Sequence, residues 1–349
     1  MRHPTSYDQD FALRRMTDFS IVAERATAHR FTHPEALEPT MATTFRGIVP
    51  PVCTPLLDNF GVDVRSLCTT VDFLLAAGVH GLFVLGSTSE VAYLPDRHRA
   101  LVVETVVDHV AGRVPVLVGC IDTTTLRVAE HIDMVGRAGA DGVVVTAPFY
   151  ARTHPAEIEL HYRMLRDRTE LPVIAYDIPI AVHSKLDSDL VLRLAEDGVL
   201  AGIKDSSGAD ASFRALVLGK QDRKLHDFAV LTGSELLVDT MLALGADGAV
   251  PGLANVDPAG FVAVYRHMSN GDSAAARSEQ ERLLRLFSIV DVGAPDRMGR
   301  GSAALGAFKT AMKLRGVIGN AVTAPPQLPL DDGEVEQIEA ILAEAGLLP

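Results

Sequence analysis

Four short segments place reactive side chains at the ends of apolar runs: Gly86-Ser-Thr-Ser-Glu90, Thr146-Ala-Pro-Phe-Tyr150, Tyr176-Asp-Ile-Pro179 and Gly202-Ile-Lys-Asp-Ser-Ser-Gly208. Lys204 stands first among these groups. It follows Val199-Leu200-Ala201-Gly202-Ile203, so its amine is expected in a confined, poorly solvated space. In water, only about one lysine amine in two thousand is neutral at pH 7. Desolvation favours the neutral form, which is the nucleophile that attacks a carbonyl to give a Schiff base. The competing reading is a structural ion pair with a nearby carboxylate, or a lysine reaching out to solvent. Ser87 and Thr88 can hold a carboxylate with hydroxyls and turn N–H groups, or simply cap a helix. Tyr176 offers a phenol for proton transfer, or a buried hydroxyl satisfying one hydrogen bond. The 12 histidines show no close ligand spacing such as HxxxH. His131, His161 and His226 read as surface residues in helices or turns, so no metal is assigned.

These groups need a frame, and the sequence supplies a repeating one. Short apolar runs at Gly47–Cys53, Gly81–Leu85, Val114–Gly119, Gly142–Thr146, Val173–Tyr176, Ala201–Lys204, Phe228–Leu231 and Gly248–Val250 read as buried parallel strands. Helical patterns lie between them; in Thr123–Arg137, Leu126, Ala129, Ile132 and Val135 recur at helical spacing behind threonine caps. Gly78, Gly139 and Gly245 each fall between a helix end and the next strand, where a left-handed residue is wanted. A β-α unit repeated in this way predicts a (β/α)8 barrel over residues 45–257. An open doubly wound sheet is the other candidate, but no GxGxxG turn follows the first strand and no cofactor is assigned. After Pro258 the strands stop. Phe261–Met268, Ser273–Val292, Ala303–Leu314 and Gly333–Leu347 read as a C-terminal helical region spanning residues 258–349. Residues 1–44 lack a strand pattern and are expected to be a peripheral or poorly ordered extension without chemistry.

Composition bounds the partners. The chain has 349 residues, 48% hydrophobic and 22% charged, which is ordinary for a globular protein. A net charge of -13 argues against a nucleic-acid surface but leaves a small anionic substrate open. No run approaches the ~20 apolar residues of a membrane span, and no apolar signal-peptide core begins the chain. Cys53, Cys68 and Cys120 lack CxxC spacing and read as structural thiols in a reducing cytoplasm.

Taken together, the four strand ends resemble the dihydrodipicolinate synthase / N-acetylneuraminate lyase family of class I aldolase-type enzymes. The resemblance runs from about Phe45 to the C-terminus, with every motif in the family's order. It implies that Lys204 is the Schiff-base lysine and that Tyr176 passes protons to and from substrate. It also implies that Ser87 and Thr88 bind the carboxylate of a pyruvate-type 2-oxo acid. Tyr150 resembles a tyrosine that reaches across a tight dimer interface to complete a proton relay with Tyr176 and Thr88. Val250, in Gly248-Ala-Val-Pro-Gly252, matches the strand-eight wall of the pyruvate pocket. A homo-oligomer built as a dimer of dimers is implied as well.

The departures bear on substrate. Synthase members carry an arginine after the strand-five tyrosine, where this chain has Ala181; Arg152 is the other candidate cation. Sialic-acid lyases place acidic groups after strand seven; here Glu235 is present, Leu236 replaces the second acid and Gly252 replaces a serine. Ser89 stands in place of glycine and Asp177 in place of asparagine. Ser206 and Ser207 put small polar groups beside Lys204. The expectation is a lyase or dehydratase acting on a pyruvate-derived 2-oxo acid such as a 2-keto-3-deoxy sugar acid. The alternatives are 4-hydroxy-tetrahydrodipicolinate synthase, condensing pyruvate with aspartate semialdehyde, and a binder of oxo acids that has lost turnover.

Overall fold

Strands that are apolar on both faces must be covered on both faces, which is the condition of a parallel sheet wrapped by helices. A computed structural model describes residues 45–348 and has this arrangement; the extension expected over residues 1–44 lies outside the described residues. The strands are β1 (Gly47–Ile48), β2 (Leu82–Val84), β3 (Val116–Gly119), β4 (Gly142–Thr146), β5 (Val173–Asp177), β6 (Gly202–Asp205), β7 (Ala229–Thr232) and β8 (Gly248–Ala249). They follow the order β1-β8-β7-β6-β5-β4-β3-β2, and every ladder is parallel. A bridge between Pro51 and Phe83 joins β1 to β2 and closes the (β/α)8 barrel.

The helices around it are α1 (Val64–Ala76), α2 (Asp96–Val110), α3 (Thr125–Ala138), α4 (Pro155–Arg166), α5 (Pro179–Val182), α6 (Ser188–Glu196), α7 (Asp210–Asp222) and α8 (Val238–Leu244). The C-terminal helices α9 (Pro258–Ser269), α10 (Ser273–Phe287), α11 (Arg300–Leu314) and α12 (Asp332–Glu344) follow. Gly139 and Gly245 end α3 and α8 at φ 80° and 105°, the left-handed conformation expected of them. Gly248 has a different reason: a Cβ there would sit 2.1 Å from the Gly47 carbonyl oxygen, so the β1–β8 approach excludes any side chain.

Two local expectations are corrected. The first strand is only Gly47–Ile48, because Pro50 and Pro51 lack the N–H that a ladder needs. Helix α3 forms behind its Thr124 cap, but its buried face is Val128, His131, Ile132 and Val135, while Leu126 is 73% exposed. Periodicity located that helix and placed Ile132 and Val135 on its buried face, with Ala129 packed against the core; Leu126 alone departs from the stripe.

The barrel core joins the strand side chains to the inner faces of α1–α7. A second apolar cluster ties Ile48, Cys53 and Leu253 to Phe261, Leu283, Phe308 and Ile338 of the C-terminal region. Burying each such side chain contributes about 1.5–3 kcal/mol, so these helices are held against the barrel rather than tethered to it. Cys53 and Cys120 are buried as expected, and burial pushes the Cys53 thiol up to about 12. Among the described residues, no helix is long and apolar enough to cross a membrane.

Candidate active site

Register explains how the reactive groups meet. Thr146 pairs with Tyr176 across β4–β5, and Tyr176 pairs with Lys204 across β5–β6. Paired residues on parallel strands project to the same side, so all three side chains point to one face at one level. Lys204 Nζ donates to Tyr176 Oη at 3.1 Å, and both residues are buried. The amine also lies 4.1 Å from the Tyr176 ring centroid and 4.9 Å from that of Phe83. Among the described residues no carboxylate forms an ion pair with Lys204, so the structural-pair reading of this lysine fails. The adjacent buried acids are met elsewhere: Lys185 pairs with Asp177 and lies 4.0 Å from Asp205. Burial pushes the Asp177 carboxyl upward despite that partner.

Tyr176 is tuned by its neighbours. Burial raises its pKa, but the Lys204 charge and the hydroxyls of Ser87 and Ser206 outweigh burial and bring the phenol below the ordinary tyrosine range. Ser87, Tyr176, Lys204 and Ser206, singled out on three strand ends, are therefore brought together.

The loop after β2 is a turn, with Leu85 at φ 55° and Glu90 at φ 62°. Helix α2 begins only at Asp96 behind Pro95, so Ser87 and Thr88 cap nothing and their side chains line a cavity. Ser89 fixes this loop. Its buried hydroxyl donates to the Val52 carbonyl at 2.5 Å and accepts from Gly86 N–H at 3.2 Å. A glycine there would supply neither bond. Glu90 anchors the far end by a buried ion pair with Lys309 of α11, a residue that sequence reasoning missed. A lysine set among Ala307, Phe308, Ala311 and Met312 was the available signal.

The cavity holds about 410 Å³ and extends from Ser87 and Thr88 past Thr146 and Glu235 to the C-terminal helices. Its outer wall, Phe287, Ala304, Leu305 and Phe308, comes from a region to which the sequence assigned no chemistry. Ala181 also lines it; Arg152 is exposed and is not among the lining residues. Val250, buried just past β8, is outside this lining, as are Lys204 and Tyr176; Ser87, hydrogen-bonded to Tyr176, and Thr146, its partner in the register, connect the lining to that pair. Tyr150 does not join the site of its own chain: it is 95% exposed, on backbone at φ 75°.

Glu235 reaches inward to accept the Leu253 N–H at 2.5 Å. Burial raises its pKa to about 7, against the lowering effects of the Leu253 and Gly252 amides and of Lys204. The folded chain therefore keeps a proton that the unfolded chain releases near 4.5, and this contribution to stability declines as pH rises between those values. Glu235→Gln is expected to flatten the fall of Tm between about pH 4.5 and pH 7, as read by calorimetry. An unchanged slope would place the titration in another group.

The surface reading of the histidines holds for exposed His226 and is corrected for two others. His131 is buried between Arg99 and Asp122, at 2.9 and 3.0 Å. His161 is 1% exposed; its Nε2–H donates to the Thr146 carbonyl at 3.2 Å while Nδ1 accepts from the Thr125 hydroxyl at 2.9 Å. Burial lowers the His161 pKa to about 4, so it is a neutral strut behind β4. Among the described residues no group of three His, Cys, Asp or Glu side chains is placed to hold a metal.

A family model described as the dihydrodipicolinate synthetase family matches residues 44–345. The chain belongs to this family. A DapA-like lyase of Halobacterium salinarum is 34% identical over 302 residues, covering 86% of this chain and 94% of the relative. A 4-hydroxy-tetrahydrodipicolinate synthase of Methanosphaerula palustris is 30% identical over 299 residues, covering 85% and 97%. The crystal structure of YagE from E. coli K12, a member of the dihydrodipicolinic acid synthase family in complex with pyruvate, superposes with a TM-score of 0.80 at 30% identity. That match covers 87% of this chain and 99% of YagE. Membership of the dihydrodipicolinate synthetase family makes this chain an enzyme of the class I aldolase type, a Schiff-base-forming lyase.

Proposed function

We propose that Lys204 condenses with the carbonyl of a pyruvate-type 2-oxo acid and that the enzyme breaks the C3–C4 bond of a 4-hydroxy-2-oxo acid. The observation that carries this reading is the buried Lys204 amine, free of any ion pair among the described residues and 3.1 Å from the phenol of Tyr176. The pyruvate complex of YagE supports a three-carbon oxo acid as the invariant half of the substrate.

The neutral amine adds to C2, and the Tyr176 phenol gives its proton to the departing hydroxyl, so that loss of water leaves an iminium beside a phenolate. Ser87 and Thr88 meet the substrate carboxylate. Tyr176, as phenolate, takes the C4 hydroxyl proton; the C3–C4 electrons move into the iminium, giving an enamine and an aldehyde. Protonation at C3 and hydrolysis then release pyruvate and restore the amine. The exposed Tyr150 supports a homo-oligomer in which this side chain serves a second copy's site. Condensation with aspartate semialdehyde is the less favoured reading, because Ala181 offers no cation where it lines the cavity and the Arg152 side chain is exposed.

Tyr176→Phe tests the proton step separately from the covalent one. It is expected to lower kcat by about 10²–10⁴-fold while borohydride still traps pyruvate on Lys204. Turnover near the wild-type rate would assign the proton step to another group.

A further inference from the structure

The cavity beyond the lysine bears on the other half of the substrate, and the inference here rests on the Schiff-base reading above. A volume of about 410 Å³ far exceeds what a three-carbon oxo acid fills. Its walls are mostly carbon, with Phe149, Ile178, Val182, Phe287, Leu305 and Phe308 facing the space. The polar groups are few and mostly committed. Ser87 and Thr88 serve the carboxylate, Glu235 is bound to backbone amides, and Tyr93 is half-exposed. The exception is Thr146: it is 2% exposed, lines the cavity, and its Oγ1 has no hydrogen-bond partner among the described residues. A polyhydroxylated tail would leave several hydroxyls desolvated against carbon, each at a cost. An apolar tail would leave only the C4 oxygen to satisfy, and Thr146, beside Tyr176 in the register, is placed to meet it.

We infer that this enzyme takes 4-hydroxy-2-oxo acids whose C4 carries a compact apolar group of aromatic size, with Thr146 hydrogen-bonded to the C4 oxygen. Cleavage transfers the C3–C4 electron pair to the Lys204 iminium and the hydroxyl proton to Tyr176, releasing pyruvate and an apolar aldehyde. The reverse reaction joins that aldehyde to pyruvate.

The test begins with borohydride trapping of pyruvate on the full-length protein; failure to trap there would sink the Schiff-base reading itself. With trapping established, condensation of pyruvate is measured with benzaldehyde and with D-glyceraldehyde. The kcat/KM for benzaldehyde is expected to be about 100-fold the higher, and Phe149→Gln should cut that ratio about 10-fold. A ratio is insensitive to partial misfolding of a variant. Equal rates, or faster reaction with glyceraldehyde, would overturn the apolar-tail inference while leaving Lys204 chemistry intact. Thr146→Val should lower condensation about 10-fold relative to solvent exchange of the pyruvate methyl protons, a step that needs no aldehyde. An unchanged proportion would overturn the role of Thr146.

Discussion

Lys204→Met is expected to lower kcat/KM by at least about 10⁴-fold, the scale on which loss of a covalent-catalysis group acts. Methionine, one heavy atom shorter than lysine but flexible, is at home beside the rings of Phe83 and Tyr176, so the surrounding packing is largely kept. Folding should not suffer: the wild-type amine has no ion pair among the described residues, and an apolar side chain there removes a desolvated amine. A Tm equal to or above wild type, with no borohydride-trapped adduct, is the expected pair of results. Lys204→Arg separates two contributions, because guanidinium keeps the positive charge but does not form the iminium. If arginine restored substantial turnover, Lys204 would act through its charge alone. The same variants report on Tyr176. The Lys204 charge offsets the burial that raises the phenol, so an ultraviolet titration of Lys204→Met should find that tyrosine ionising at higher pH.

The features legible in the sequence were those set by neighbours along the chain. Glycine past a helix, an apolar strand and a threonine cap are local choices, and α3, α8 and their Gly139 and Gly245 ends followed from them. The meeting of Lys204 with Tyr176 was reachable too, because both end consecutive strands of a parallel ladder. Contacts between distant segments left weaker traces. Glu90 and Lys309 are separated by most of the barrel, and a lone lysine in an apolar stretch of α11 does not name its partner. Phe287, Leu305 and Phe308 carry helical periodicity whether they face a core or a substrate cavity, so their role in the site is a matter of packing. The histidines failed for a related reason. His161 is buried because Thr125 and the Thr146 carbonyl satisfy both ring nitrogens, and those partners sit on other elements. Tyr150, recognised through its motif, stands apart from its own chain's site, because the backbone after β4 turns its side chain outward.

The Glu90–Lys309 pair leads to the second large effect. Both side chains are 0% exposed. Glu90 Oε1 accepts from the Ala324 N–H at 2.6 Å and the Gln327 amide at 3.0 Å, while Lys309 Nζ donates to the Val322 carbonyl at 2.8 Å. The pair therefore ties three segments together: the Ser87–Thr88 loop, α11 and the stretch before α12. Lys309→Met would strand a buried carboxylate, which costs about 3–5 kcal/mol and should lower Tm by roughly 10 °C in a chain of this size. Glu90→Gln combined with Lys309→Met should recover a large part of that loss. The amide oxygen still accepts from Ala324, and no uncompensated charge remains. The sign of this coupling separates an ionic anchor from simple packing, because two packing defects in contact would not rescue each other. Catalysis adds a second readout. Glu90 lies three residues beyond Ser87, so a slackened anchor should raise KM for the oxo acid more than it lowers kcat, the pattern of a misplaced carboxylate site. If Lys309→Met melted with the wild type and bound pyruvate equally well, the loop would owe its shape to Ser89 and its bonds to Val52 and Gly86 instead.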